Sequence, residues 1–244
     1  MQELDQLRAL ANPELAERIA ARHKTGRPTL GLTPAQIETA VTGWRDDLDV
    51  DGRVALARDL WDSNIHEARL AAARLLVQAR IRPDDAVWDL ICEWAPQLDA
   101  PEVTDAVMVA GSKRLVADPA RMEEMLDWAQ SSNPFQRRAV LMGTLPWAKM
   151  NNPKPADLEI RERVLEWAAH LADDSNGAVR QAIETWLRDL AKRAPERVAE
   201  WRKDREQVVA AARQDEAERA AETAARAEPA EADPVSDTED DQDL

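Results

Sequence analysis

The chain has 244 residues, rich in Ala, Leu, Arg and Glu, with seven Gly, one Phe and no Tyr. This length allows one large domain or an array of repeats, and the composition favours helices over sheets. The single cysteine, Cys92, excludes an internal disulfide. The N-terminus is charged throughout and no stretch approaches about 18 apolar residues. We therefore expect neither secretion nor membrane insertion, and a cytoplasmic location.

The formal net charge is −15, which argues against nucleic acid because phosphate binding needs concentrated positive charge. The charge is unevenly distributed, however. Residues 215–244 contain twelve acidic and two basic side chains, which leaves only −5 for the first 214 residues. Because the first 214 residues are close to neutral overall, part of their surface can be basic. The acidic tail is predicted to be a solvated segment that promotes solubility or binds a protein partner, and it can also compete for that face.

Helical periodicity runs almost from end to end and predicts about ten helices and no strand. Short turn signals divide it, at residues 12–13, 25–34, 82–83, 100–101, 118–119, 133–134 and 151–155. Thr33, Asp118 and Asn133 each precede a proline, which predicts a capping side chain ahead of the first helical residue.

Four tryptophans, Trp128, Trp147, Trp167 and Trp186, are separated by 19, 20 and 19 residues. That spacing is about one helix plus a turn, and two such helices approach the roughly 40-residue unit of HEAT or armadillo solenoids. Core anchors at a chance spacing in a helical bundle are the alternative. We predict an all-α, HEAT-like solenoid over 1–204, a helical extension over 205–228 and a disordered acidic tail over 229–244.

Motifs for familiar chemistry are missing from the sequence. It has no phosphate-cradling Gly-rich loop, no HExxH, no GxSxG and no paired-Cys ligand set. The stretch HKTGRPTLG (23–31) is a weak match to a nucleotide loop, because no strand precedes it. Three scattered histidines give no metal-ligand spacing. We expect neither a metal nor another cofactor.

Cations near helix starts and turns are the remaining candidates. They are Lys113, Arg114, Arg137, Arg138, Lys149, Lys154, Arg180, Arg188, Lys192 and Arg193. Solvated or i,i+4-paired helix faces explain most such residues. In a solenoid, equivalent helices line one surface, so the same cations can also converge.

Several stretches together resemble one family. TLGLTPAQIE (29–38), DLWDSNIHEARLAAARLL (59–76), WAQSSNPFQRRAVLM (128–142) and VRQAIETWLRDLAKRAPERV (179–198) are similar, in this order, to segments of the AlkD-like DNA alkylation repair family, the HEAT-like alkylpurine DNA glycosylases. The resemblance implies a right-handed solenoid whose concave, cationic face holds duplex DNA. It also implies removal of cationic N3- or N7-alkylated purines, with a carboxylate stabilising the oxocarbenium character of the sugar.

Carried over residue by residue, the family's catalytic aspartate matches Asp105 in DAPEVTDAVMV (99–109). An alternative register at VWDLIC (87–92) would put Cys92 there, but Asp105 lies 33 residues before Arg138, closer to the family's separation. The family's DNA-backbone arginine falls on Arg138, with Arg137 as a flanking contact. The other DNA contacts that we expect are Lys113, Arg114 and Lys149. A surface carboxylate paired with a neighbouring cation is the alternative interpretation of Asp105.

The expected pocket departs from the family pattern. Pro101 replaces the aromatic before the aspartate, and Thr185 replaces a tryptophan that is displaced to Trp186, about 100° around a helix. Phe135 is the remaining aromatic of the pocket, and Gly177 replaces a further one. Two walls of the aromatic cage are therefore missing.

Two functions stay open for a chain that we expect to be monomeric. One is an N-glycosylase acting on duplex DNA, and the other is a non-catalytic HEAT-like scaffold that binds DNA or protein. Arg138, Lys113, Arg114 and Lys149 in one groove beside Asp105 would favour DNA. Their dispersal over the convex face would favour the scaffold.

Overall fold

The computed structural model describes residues 1–227, which form thirteen α-helices, two short 3-10 helices and no strand. The α-helices are α1 (Gln2–Ala9), α2 (Pro13–His23), α3 (Pro34–Asp47), α4 (Val50–Asp62), α5 (His66–Leu75), α6 (Asp85–Trp94), α7 (Pro101–Ala117), α8 (Glu124–Ala129), α9 (Pro134–Gly143), α10 (Leu145–Lys149), α11 (Pro155–His170), α12 (Gly177–Ala191) and α13 (Pro195–Ala227). The 3-10 helices are Ala95–Gln97 and Pro119–Glu123. The predicted all-α class is confirmed, and the short helices α8 and α10 account for part of the excess over ten.

Helices α3, α5, α7, α9 and α12 form a central row, in which each packs against the next. Helices α4, α6 and α8 each pack against the row helix that follows them in the chain. Stacked helix pairs whose contacts are mainly with the next pair define a helical-repeat solenoid. The HEAT-like fold class predicted from tryptophan spacing and resemblance is thus confirmed.

Two indole hydrogen bonds join neighbouring repeats at the same separation. The indole N–H of Trp61 donates to Gln97 and that of Trp88 donates to Glu124, and both pairs are 36 residues apart. Trp61 also stacks on Trp94, with ring centroids 4.2 Å apart. The repeat is therefore about 36 residues long in the stretch from α4 to α8, whereas the Asp105–Arg138 contact further along spans 33.

The four regularly spaced tryptophans are core anchors. Trp128, Trp147, Trp167 and Trp186 lie on α8, α10, α11 and α12, and all are buried. These large side chains supply much of the apolar area that holds a repeat against its neighbours, although α9, between α8 and α10, has no tryptophan. The spacing of these tryptophans therefore corresponds to roughly one helix and the turn that follows it.

The predicted caps begin their helices. Thr33 accepts from the backbone N–H of Gln36, whose side chain accepts from Thr33 in return, forming a capping box. Asn133 accepts from the N–H of Phe135. Asp118 also caps a segment, but that segment is the 3-10 helix before α8. Each cap satisfies an otherwise unpaired amide and contributes about 1 kcal/mol.

The loop before α3 is fixed by a buried carboxylate. Glu67, which is 1% exposed, accepts hydrogen bonds from the backbone N–H groups of residues 30–32. Gly31 has φ +79, and a Cβ there would overlap the Asn12 carbonyl oxygen and lie 2.5 Å from the Ala16 nitrogen. The amides at the end of the HKTGRPTLG stretch thus bind Glu67, and the glycine is required by close backbone packing.

The described residues fall into two units, the first Met1–Val198 and the second beginning at Ala199. Helix α13 runs without a break for 33 residues, so the predicted division between 204 and 205 falls inside a helix. The tail prediction for 229–244 lies outside the described residues. Within residues 1–227, no helix has the length and apolar character needed to span a membrane.

Candidate functional site

Helix α7 carries the central carboxylate of the site because of its side-chain pattern. Val103, Val107 and Leu115 are buried against neighbouring helices. Glu102 and Asp105, three residues apart, therefore share the opposite face of the helix. Val109, half exposed one turn further, continues this face.

Arg138 on α9 holds that carboxylate from the side. Its Nε and Nη2 donate to the two oxygens of Asp105 at 2.8 and 2.7 Å, and its Nη1 donates to the carbonyl oxygen of Ala178 at 2.6 Å. The Arg138 side chain is 6% exposed. It therefore links three consecutive helices of the central row, α7, α9 and α12, and fixes the orientation of the carboxylate.

Asp105 remains accessible, with 35% of its side chain exposed. It lies where two cavities meet. The larger, of about 760 Å³, is lined by Pro34, Ala35, Glu38, Arg45, Leu70, Arg74, Val77, Glu102, Asp105, Ala106 and Val109. The smaller, of about 210 Å³, is lined by Asp105, Met108, Val109, Ser112, Lys113, Met142, Leu145, Pro146 and Lys149. We call them the large and the small cavity.

The small cavity has a cationic edge. Lys113 and Lys149 both line it, and Lys149 is largely exposed. Asp189 lies 3.5 Å from the Lys149 ammonium and 2.7 Å from that of Lys192. The hydrogen bond from Lys192 lowers the pKa of Asp189. Lys113 and Lys149 thus line the same cavity as Asp105, and Lys192 shares the carboxylate that pairs with Lys149.

Arg114 lies elsewhere and is fully buried. It donates to Asp84 at 2.9 Å and to the carbonyl of Gln78. Arg121 binds the same carboxylate, and its hydrogen bond lowers the pKa of Asp84. Arg114 therefore anchors the loop before α6 to the end of α7, and its guanidinium is out of reach of a DNA phosphate.

Arg137, the neighbour of Arg138, also has protein partners. Its Nε and Nη2 donate to Asp174 at 2.6 and 2.9 Å, and its Nη1 donates to the carbonyl of Ser131. Burial raises the pKa of Asp174, but hydrogen bonds from Arg137 and from the amide of Asn176 outweigh it, so the pKa lies below its usual value. This pair ties the loop before α9 to the loop before α12.

The expected pocket residues do not form one wall. Trp186 is fully buried, and its indole N–H points to the Thr144 carbonyl at 3.4 Å. Phe135 and Pro101 are half-buried first-turn residues of α9 and α7, and Thr185 donates to a carbonyl of its own helix. None of these four lines either cavity in the part of the chain that the structure describes.

The large cavity brings in residues that the sequence interpretation missed. Glu38 lies between Arg45 and Arg74, at 3.8 and 3.7 Å, and Glu102 lies one turn before Asp105. The i,i+3,i+7 spacing of Glu102, Asp105 and Val109 was an available signal for a shared face. The residues of α3 reach this cavity only because consecutive repeats stack on each other, and the sequence contains no comparable signal for that stacking.

The fold and these contacts define a helical-repeat protein with a carboxylate–guanidinium pair at the junction of two cavities. A sequence model of the DNA alkylation repair enzyme family matches residues 4–225. The chain belongs to this family. No curated protein matches it.

Solved structures share the fold. A predicted DNA alkylation repair enzyme from Enterococcus faecalis superposes with a TM-score of 0.66 at 16% identity, covering 80% of this chain and 89% of that one. The protein smu.31 from Streptococcus mutans UA159 superposes with a TM-score of 0.54 at 19% identity, covering 78% of this chain and 89% of that one. At such identities the likeness concerns the fold.

Proposed function

We propose that this protein binds duplex DNA and hydrolyses the N-glycosidic bond of cationic alkylated purines, with Asp105 as the catalytic residue. The observation that carries the proposal is the Asp105–Arg138 contact, which presents an oriented and accessible carboxylate where two cavities meet. Membership of the DNA alkylation repair enzyme family supports it.

The reaction needs few catalytic groups, because the alkylated purine already carries a positive charge and is a good leaving group. When the bond between C1′ and N9 breaks, its electron pair stays on the base, which leaves as a neutral molecule. The positive charge passes to C1′ and the ring oxygen of the sugar. Water adds to C1′ and loses a proton, and an abasic site remains in the strand. A carboxylate near the sugar stabilises the charge that develops there.

Arg138 acts on this step through Asp105. Each oxygen of the carboxylate accepts one N–H from the guanidinium and keeps a second lone pair for the substrate. Since Arg138 is 5% exposed and all three of its nitrogens donate within the protein, it is a positioning residue. The contact with a DNA phosphate that the family resemblance implies for Arg138 is therefore assigned to other cations.

Lys113 and Lys149 are the phosphate contacts of the proposal. Both line the small cavity with Asp105, and Lys149 keeps 57% of its side chain exposed although it pairs with Asp189 at 3.5 Å. Ammonium groups bind the phosphate backbone without regard to base sequence and lose affinity as salt rises. A strand along the small cavity would bring a sugar close to the carboxylate.

Release of 7-methylguanine from methylated duplex DNA tests the proposal. We expect release by the intact protein, a rate lower by one to two orders of magnitude in Asp105→Asn, and full activity in Asp127→Asn, an exposed carboxylate on α8. No release by the intact protein would refute the glycosylase. An undiminished rate in Asp105→Asn would refute the site.

A scaffold that binds DNA without catalysis is the second candidate. One observation favours it: among the described residues, no aromatic side chain lines either cavity. Aromatic faces beside the sugar would add cation–π stabilisation of about 1 kcal/mol each. Salt-dependent binding of duplex DNA without base release would identify this second function.

A further inference from the structure

Two arginines of the large cavity form only long ion pairs with their acidic neighbour. Glu38 on α3 lies 3.8 Å from Arg45 and 3.7 Å from Arg74, and both distances are too long for hydrogen bonds. The Glu38 side chain is 56% exposed. Ion pairs that reach solvent and lack hydrogen bonds contribute little to stability, so Glu38 can leave both guanidinium groups at a small cost in free energy.

Backbone carbonyls hold the two guanidinium groups in position. Nη1 of Arg74 donates to the carbonyl oxygen of Pro34 at 2.8 Å, and Nη2 of Arg45 donates to that of Arg74 at 3.4 Å. Within residues 1–227, the Nε and Nη2 of Arg74 and the Nη1 of Arg45 have no hydrogen-bond partner, and none of these three nitrogens is buried. Guanidinium donors form a rigid fork that matches the oxygens of a phosphate. The large cavity therefore presents accessible, unused donors of the kind that an oxyanion needs.

The position of these arginines relative to Asp105 indicates which oxyanion they bind. Arg45 and Arg74 line the large cavity together with Asp105. Lys113 and Lys149 line the small cavity, to which Asp105 also belongs. A nucleotide within a strand has one phosphate on the 5′ side of its sugar and one on the 3′ side. When the reacting sugar lies at Asp105 and one of these phosphates lies at the lysines, the other is directed to the large cavity.

We propose that Arg45 and Arg74 bind the second phosphate next to the reacting nucleotide, and that Glu38 is the exchangeable counter-ion of this site. The inference rests on the proposed function for its partner, duplex DNA. In the free protein Glu38 compensates the positive charge of the two arginines. In the complex the phosphate takes its place, and the carboxylate turns to solvent. Glu38 therefore competes with DNA and lowers the affinity of the protein for it.

The direction of the effect of Glu38 separates competition from a structural role. Removal of a competing carboxylate strengthens binding, whereas removal of a carboxylate that only orients the arginines weakens it. We expect Glu38→Gln to tighten duplex binding about fivefold, equivalent to about 1 kcal/mol, which is the upper range for exposed ion pairs. Arg45→Gln and Arg74→Gln should weaken binding, and each should reduce its salt dependence by about one counterion.

Fluorescence anisotropy with a labelled duplex tests the inference without catalysis. The duplex contains one tetrahydrofuran abasic-site analogue, which has no glycosidic bond, and is titrated at several salt concentrations. Glu93→Gln is the matched control, because Glu93 is an exposed carboxylate on α6, outside the central row, and is also paired with an arginine, Arg58. Its affinity should change less than twofold. In a variant that lacks both Arg45 and Arg74, Glu38→Gln should give no gain, because no guanidinium remains to be released.

Arg74 also holds the start of α3 through Pro34, so thermal melts check that each variant is folded, and Arg45→Gln alone suffices as the arginine test. Unchanged or weaker binding in Glu38→Gln, an equal gain in Glu93→Gln, or an unchanged salt dependence in Arg45→Gln would overturn the inference, whether or not a base is released.

The outcomes also separate this inference from the proposed function. The expected changes in binding, in a protein that releases no 7-methylguanine, would support the phosphate site and refute the glycosylase. Release of 7-methylguanine with none of these changes would support the glycosylase and overturn the phosphate site. Failure of the wild type to bind the duplex at low salt would overturn the phosphate site and DNA binding together.

Discussion

The contact between Asp105 and Arg138 predicts a measurable thermodynamic coupling. Replacing Arg138 by Met removes three hydrogen bonds of 2.6 to 2.8 Å and leaves the carboxylate and the Ala178 carbonyl without a donor. Breaking a buried pair costs about 3 to 5 kcal/mol. Because 35% of the Asp105 side chain is exposed and can be hydrated, we expect the lower end, a loss of about 3 kcal/mol in the free energy of unfolding.

Asp105→Asn is expected to cost a similar amount, since it leaves a buried guanidinium without its counter-charge. In the double variant neither charge remains, so its cost should be smaller than the sum of the single costs by about 2 kcal/mol. Urea unfolding followed by tryptophan fluorescence measures all three values. The exposed pair Arg163–Glu123, with nitrogen and oxygen 2.6 Å apart, is the matched control. Its coupling should stay below about 1 kcal/mol. Additivity of the Arg138 and Asp105 costs within about 0.5 kcal/mol would refute the reasoning.

Three further predictions concern other parts of the molecule. The pKa of His66 is lowered from 6.5 to about 4 in the folded protein, so as pH falls the unfolded chain binds a proton at this histidine before the folded protein does. The free energy of unfolding should therefore fall by up to about 3 kcal/mol as pH drops from 6.5 to 4. Urea titrations at several pH values should show that His66→Gln removes most of this pH dependence. Gly31→Ala should cost about 3 kcal/mol or more, whereas Gly26→Ala, also at positive φ but in open space, should cost only about 1 kcal/mol; equal losses in thermal melts would contradict the packing argument. Lys113→Gln and Lys149→Gln should each reduce the salt dependence of duplex binding by about one counterion, and Arg163→Gln should not. Removal of residues 215–244 should tighten duplex binding. An unchanged dependence of affinity on salt concentration in both lysine variants would exclude the small cavity as the phosphate contact.

The sequence was most informative where structure depends on neighbours along the chain. The caps at Thr33 and Asn133 follow from local chemistry, and the evenly spaced tryptophans that predict repeats are all buried in the core. Family resemblance matches Asp105 and Arg138 to separate segments, and in the structure the two side chains are in contact.

Partners across repeats could not be predicted in the same way. Arg114 and Arg137 look like surface cations in the sequence, but each binds an aspartate 30 to 37 residues away. Which cation is buried depends on how consecutive helix pairs stack, and neither helical periodicity nor charge pattern records that. Trp186 is a related case, since one step around α12 directs its ring into the core.

The guanidinium of Arg138 forms the junction between consecutive repeats, because it binds Asp105 of α7 on one side and the start of α12 on the other. Units added or lost at either end of the array would leave this junction unchanged, whereas a single-residue insertion inside α9 ahead of Arg138 would turn the guanidinium by about 100° and separate it from Asp105. In such an architecture the length of the array is free to vary, while the spacing across one joint is not.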